Sequence, residues 1–193
     1  MLNEYFSSVD FLVLKPAILL AIFALGVLMT DLMLEKGQKH LNAVMALVGI
    51  GFAAYSLGPW PGGIQYMMAQ AGVREVEAFR GAIVLDTFGI YFIWIFLIST
   101  ALSILLSIKY LDVEDEQRGD HYAIMLLATV GMIFLAIGMD LVTMFMGLEL
   151  MVISVYILTG YLRRDRRSNE AALKYLLLGA FSSGVLLYGM SLL

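Results

Sequence analysis

The chain holds six apolar segments, each close to the length a helix needs to cross a bilayer. A helix rises about 1.5 Å per residue, so a hydrocarbon core about 30 Å thick takes about 20 consecutive apolar residues. By that ruler the segments lie at about 11–29, 41–57, 82–108, 122–139, 141–161 and 169–193. Backbone polar groups in lipid must be satisfied within the chain itself, which makes such segments helices. Composition agrees: 61% of residues are hydrophobic, 15% are charged and mean hydropathy is +0.88, against about 45–50% apolar and about 25% charged in soluble domains. The sequence reads as an all-α integral membrane protein with about six transmembrane helices.

Several function classes are excluded. No cysteine is present, which removes disulfides, iron–sulfur clusters and cysteine zinc sites. The two histidines, His40 and His121, fall in predicted loops and are a poor basis for a haem or another metal between helices. No basic arm points to nucleic acid. The first ten residues carry Glu4 and Asp10 and no lysine or arginine. They lack the basic start of a signal peptide, and the first segment is expected to stay as a span.

Punctuation along the chain is clear. Lys15-Pro16 sits in the first turns of the first segment, where proline is tolerated and lysine snorkels. Gly58-Pro59 ends the second, and a polar stretch from Trp60 to Arg80 follows, with Pro61-Gly62-Gly63 as a turn signal. The third is long enough to tilt or protrude, and Trp94 within it is expected to be packed. After the acidic loop Asp112–Asp120, the fourth and fifth segments join almost directly and are expected to be antiparallel neighbours. Ser168-Asn169 supplies N-cap types for the sixth, with Glu170 in its first turn. Small residues (Ala17, Ala21 and Ala24; Gly49 and Ala53; Gly179-Ala180 and Ser182-Ser183-Gly184) predict close helix contacts. Lysine and arginine concentrate in the loops after the first, third and fifth segments, including Lys36, Lys39, Lys109 and Arg118. The bias predicts both ends outside and the arginine loop 162–168 in the cytoplasm.

Charges inside the apolar segments carry the functional question. Glu149 lies about eight residues into the fifth segment, or about 12 Å of rise. A carboxylate there opposes insertion by about 2.5–3.5 kcal/mol, which about eighteen apolar neighbours offset. Its helix face holds Val142, Phe145, Met146, Val152, Ile153 and one polar residue, Tyr156. Such a group is either a proton relay or a protonated or paired structural glutamate. Lys174 stands four residues after Glu170. It is either a snorkelling lysine paired with that glutamate or a group that trades a proton with Glu149. Asp86 and Asp140 flank the third and fifth segments and read first as exposed boundary residues. Arg163, Arg164, Arg166 and Arg167 read first as a cytoplasmic anchor that also meets anionic lipid.

Two stretches carry a resemblance. Asp140–Met151 reads D-L-x-T-x-F-x-G-L-E-L-M, and Glu170–Gly189 reads E-A-A-L-K-Y-x-L-L-G-A-F-S-S-G-x-L-L-Y-G. With Leu85–Phe88 (L-D-T-F) and Ser107–Leu111 (S-I-K-Y-L), they are similar to the antiporter-like membrane subunits of proton-pumping NADH:quinone oxidoreductase, respiratory complex I, and within that family to its subunit N branch. The second half of the chain carries the motifs; the first two segments match in hydropathy and position. The resemblance implies that Glu149 and Lys174 lie on the family's proton path, with Tyr156, Glu170 and Asp140 as candidate accessory residues. It implies other membrane-arm subunits and the lipid bilayer as partners, a bacterial inner-membrane location, and no cofactor in this chain. NADH, flavin, iron–sulfur clusters and quinone belong to the rest of the complex. The family's bundle has about fourteen helices in two inverted repeats, with ion sites beside broken helices.

Two departures stand out. Val152-Ile153-Ser154 follows E-L-M where the family often has Ser-Leu-Pro. The sequence also stops at Leu193, before the family's broken seventh helix and its lysine, so the expectation is a piece of a longer protein. Three functions compete: a proton-translocating subunit of complex I, a subunit of a multi-subunit cation/proton antiporter, and a structural membrane subunit without transport.

Overall fold

The computed structural model describes residues 8–34, 38–114 and 118–193. Glu4, Lys36 and positions 115–117 of the acidic loop lie outside them. The elements are α1 (Ser8–Met33), α2 (His40–Leu57), α3 (Ile64–Ala71), β1 (Glu75–Ala78), a 3-10 turn at Phe79–Gly81, β2 (Ile83–Asp86), α4 (Thr87–Val113), α5 (Gly119–Ile137), α6 (Leu141–Thr159) and α7 (Arg166–Ser191). Six of these helices are long and apolar enough to cross a membrane; α3 is the short exception.

The arrangement is centred on α5, which packs against α1, α4 and α6. Helix α2 closes the group by packing on α1 and α4, and α7 leans on the far side of α6. The alanine row of α1 faces inward, with Ala17 and Ala24 buried. Gly49 of α2 lets Phe23 of α1 lie against its backbone: a Cβ there would stand 2.6 Å from the Phe23 side chain. Small residues thus do on α1 and α2 what close contact in lipid requires. On α7 only part of the expected stripe is used. Gly179 meets α6, whereas a Cβ on Gly184 would touch nothing within 4 Å.

The stretch between α2 and α4 differs from expectation. Its polar composition concealed the short helix α3 and an antiparallel hairpin, β1–β2, in the register Glu75↔Asp86, Val76↔Leu85, Glu77↔Val84 and Ala78↔Ile83. The long apolar helix therefore begins at Thr87, not near Ala82. Ile83, Val84 and Leu85 are as apolar as the helix that follows, and hydropathy cannot separate a strand from a helix in one continuous run. Asp86 marks the true start: it is no idle boundary residue, since its Oδ1 accepts from Gly89 N–H at 2.7 Å. The hairpin turn places Phe79 and Arg80 at φ +51° and +57°, a left-handed conformation costing a non-glycine residue about 1–2 kcal/mol. The buried Asp10 of α1 holds it, with Oδ1 accepting from Phe79 N–H at 2.7 Å. Met139 N–H donates to Ala82 C=O at 2.9 Å, tying the hairpin to the α5–α6 turn.

Other boundaries move as well. Helix α1 starts early enough that Pro16 lies inside it, beyond the first turn, where its ring removes one helical hydrogen bond. His40 and His121 open α2 and α5 and are not loop residues. Trp94 is half-buried, as expected of a packed residue, and meets Trp60 edge-on at 6.4 Å.

Helices α5 and α6 meet backbone to backbone. A Cβ on Gly131 would fall 2.6 Å from Met151 N and 2.7 Å from Gly147 O, and one on Gly147 would fall 2.9 Å from Gly131 O. Backbone cannot yield as a flexible side chain can. Gly147→Val should therefore separate α5 from α6 and lower the thermal midpoint of the assembled protein, with an overpacking cost at or above about 1–3 kcal/mol. Val155→Ala on the same helix should shift it far less. Equal shifts in a thermal scan would show that the contact is not limiting.

Candidate functional site

Helix α6 carries two opposite faces. Successive residues turn by about 100°, so Gly147, Met151 and Ser154 fall on one side and Glu149 and Tyr156 on the other. The first side lies against α5 through the Gly131–Gly147 contact. The second is turned to α7: Tyr156 is buried, stacks edge-on to Tyr175 at 4.9 Å, and fits against Gly179, where any Cβ would overlap the tyrosine ring. Glu149 is partly buried. Its Oε1 is fully buried and has no hydrogen-bond partner among the described residues. A buried polar oxygen without a partner is costly and calls for an explanation in function or in a group supplied from elsewhere.

Lys174 is not brought to Glu149. Its Nζ lies 2.5 Å from Glu170 Oε1, with about 70% of its side chain exposed. Gly160 faces Ala172, and Tyr156 faces Gly179, which sets the antiparallel register. Lys174 then lies level with Leu158, nine residues along the helix from Glu149, or about 13 Å of rise. It also projects from the face of α7 opposite the one that packs on α6, because Ala172, Tyr175, Leu176 and Gly179 line the contact side. Tyr156 stands between the two levels on the face of Glu149.

The remaining candidates have structural tasks. Asp140 caps α6, its Oδ1 accepting from Thr143 N–H at 2.5 Å. Asp165 caps α7, not the expected Ser168 or Asn169. Those two instead donate backwards, Ser168 Oγ to Thr159 C=O and Asn169 Nδ2 to Arg163 C=O, both at 2.8 Å. They close the α6–α7 turn.

The burial and pairing of polar groups on α2, α4 and α5 escaped the sequence reading. Thr100 and Thr129 share a 2.7 Å hydrogen bond between α4 and α5. Asn42, fully buried, donates to Asp31 at 2.5 Å. His121 is buried, with Nε2 3.2 Å from Ser107 Oγ and the ring against Tyr161 at 4.6 Å; its Nδ1 has no partner among the described residues. Ser99, Ser103 and Ser107 at four-residue spacing were the signal available in the sequence.

The fold and these faces define a multi-pass helical membrane protein segment with a carboxylate inside a spanning helix. Comparison with known proteins sharpens that class. The family described as "NADH:quinone oxidoreductase/Mrp antiporter, TM" matches residues 138–193, which include Glu149, Tyr156 and Lys174. The chain is 47% identical over 191 residues to NADH-quinone oxidoreductase subunit N 1 of Koribacter versatilis, covering 99% of this chain and 37% of that protein. It is 38% identical to subunit N of Trichlorobacter lovleyi, covering 98% and 37%. It is 41% identical over 181 residues to NAD(P)H-quinone oxidoreductase subunit 2 of Synechococcus elongatus, covering 94% and 33%. The resemblance to subunit N thus runs through α1 and α2 as well as through the motifs. The chain spans about a third of the length of these curated relatives.

The absence of native cysteine makes the α6–α7 register directly testable. Gly160→Cys with Ala172→Cys should cross-link on oxidation, since a Cβ on Gly160 falls 2.8 Å from the Ala172 Cβ. The two halves should then stay joined after trypsin cuts the arginine turn. Glu149→Cys with Lys174→Cys should release two fragments; efficient cross-linking of that pair would refute the register.

Proposed function

We propose that this chain is part of a membrane-arm subunit of proton-pumping NADH:quinone oxidoreductase and that Glu149 is a proton-carrying group within it. One observation carries the reading: a carboxylate oxygen buried in a membrane-spanning helix, with no partner among the described residues. Ionisable groups inside spanning helices are costly to bury and mark proton or ion pathways, and no described residue pairs with this oxygen. Relatives named as quinone oxidoreductase subunits support the complex, and the family match over α6 and α7 supports the placement of the site.

In this reading α5 holds α6 rigidly through the glycine contact, so Glu149 is presented to the α7 side. Tyr156, two turns along the same face, is the accessory hydroxyl. Lys174, paired with Glu170, acts from the arginine-turn end. Because Lys174 and Glu149 are separated along the axis and point apart, a proton passes between them through water, through Tyr156, or through groups that pack on the open face of α7. Asp140 contributes by fixing the start of α6. The redox groups and the quinone lie in other subunits; the chain responds to them through its neighbours. The orientation that goes with this reading is a bacterial inner membrane with loop 162–168 in the cytoplasm. A cation/proton antiporter subunit is the second reading, since the matching family description names both.

In the intact complex in sealed vesicles, Glu149→Gln should lower NADH-driven proton uptake by about tenfold or more while assembly is unchanged; Glu149→Asp should retain part of it. Lys174→Met should have a smaller effect. Unaltered pumping in assembled Glu149→Gln would refute the proton role, and sodium-dependent proton exchange without NADH turnover would select the antiporter reading.

A further inference from the structure

The α6–α7 end combines a strongly basic turn with an apolar groove. Arg163, Arg164, Arg166 and Arg167 are all exposed. The turn that carries them is fixed by the Ser168 and Asn169 bonds described above and by Asn169 N–H donating to Asp165 C=O at 3.1 Å. Asp165, the acid among the arginines, is turned to the helix, accepting from Arg167 N–H at 3.0 Å. Below the turn, a groove of about 370 Å³ runs between the two helices, lined by Ile153, Tyr156, Ile157, Ala172, Leu173 and Leu176. Leu173 lies seven residues below Arg166, or about 10 Å of rise.

From this juxtaposition we propose that the α6–α7 turn and groove form a binding site for one anionic phospholipid, with its phosphate on the arginines and the upper part of an acyl chain between the helices. The charge and the depth both fit. The arginines stand at the ends of two spanning helices, where headgroups lie, and guanidinium forks match phosphate oxygens in a way that ammonium groups do not. The groove lies between the two spanning helices below the turn, and its walls are apolar apart from the tyrosine hydroxyl. The inference rests on the membrane-spanning character of the chain and not on the proton path.

The test uses the chain in its native complex, purified in mild detergent, with bound phospholipid counted by native mass spectrometry. Replacing all four arginines by lysine keeps the positive charge and therefore the topology. That variant should lose one anionic phospholipid per copy of the chain, and Ala172→Trp, which fills the groove, should lose the same lipid with the arginines intact. The lipid lost should be anionic, not zwitterionic. An unchanged anionic count in either assembled variant would overturn the site, as would equal occupancy by phosphatidylcholine after exchange.

Discussion

The backbone contact between Gly131 and Gly147 governs how this chain presents its chemistry. Two helices pressed together at glycine have one relative rotation available, because any other would drive side chains into backbone. That rotation turns one face of α6 to α5 and leaves the opposite face, with Glu149 and Tyr156, toward α7. In a lipid environment no hydrophobic driving force holds helices together, and such close packing takes its place.

The polar groups inside the bundle follow the same economy. Thr100 and Thr129 satisfy each other, Asn42 is bound to Asp31, and Asp10, Asp86 and Asp140 each accept from a backbone N–H that would otherwise be unsatisfied. Against this background two buried atoms have no partner among the described residues, His121 Nδ1 and Glu149 Oε1, and of the two only Glu149 lies in the middle of a spanning helix. The α7 side of that carboxylate is also the least covered part of the structure: α7 has no buried residue, and the curated relatives are nearly three times as long as this chain. The lysine of the proposed path sits on that open side, on the face of α7 turned away from α6.

Much of this was legible in the sequence, for reasons that differ by element. Spanning helices announce themselves by length and hydropathy, and the Glu170–Lys174 pair by its four-residue spacing. Glu149 stood out because charge is rare in such a run. The hairpin was hidden because β2 is apolar and continuous with α4, so only the Asp86 cap separates them. The true N-cap of α7, Asp165, was masked by four arginines and by better-looking candidates three and four residues later. The separation of Glu149 from Lys174 was beyond reach, since it depends on which faces pack, and that is decided by Gly147 on one helix and Gly179 on the other. The pair of glycines equidistant from Met139 was a usable signal that only an antiparallel register makes meaningful.

The account stands or falls on whether Glu149 changes protonation as the complex works. The most direct measurement is infrared difference spectroscopy of the intact complex before and after NADH addition, in wild type and in Glu149→Gln. The account predicts a protonated-carboxyl band that changes with turnover in the wild type and is missing from the variant. The same carboxyl difference spectrum in both would contradict it and leave Glu149 as a structural residue.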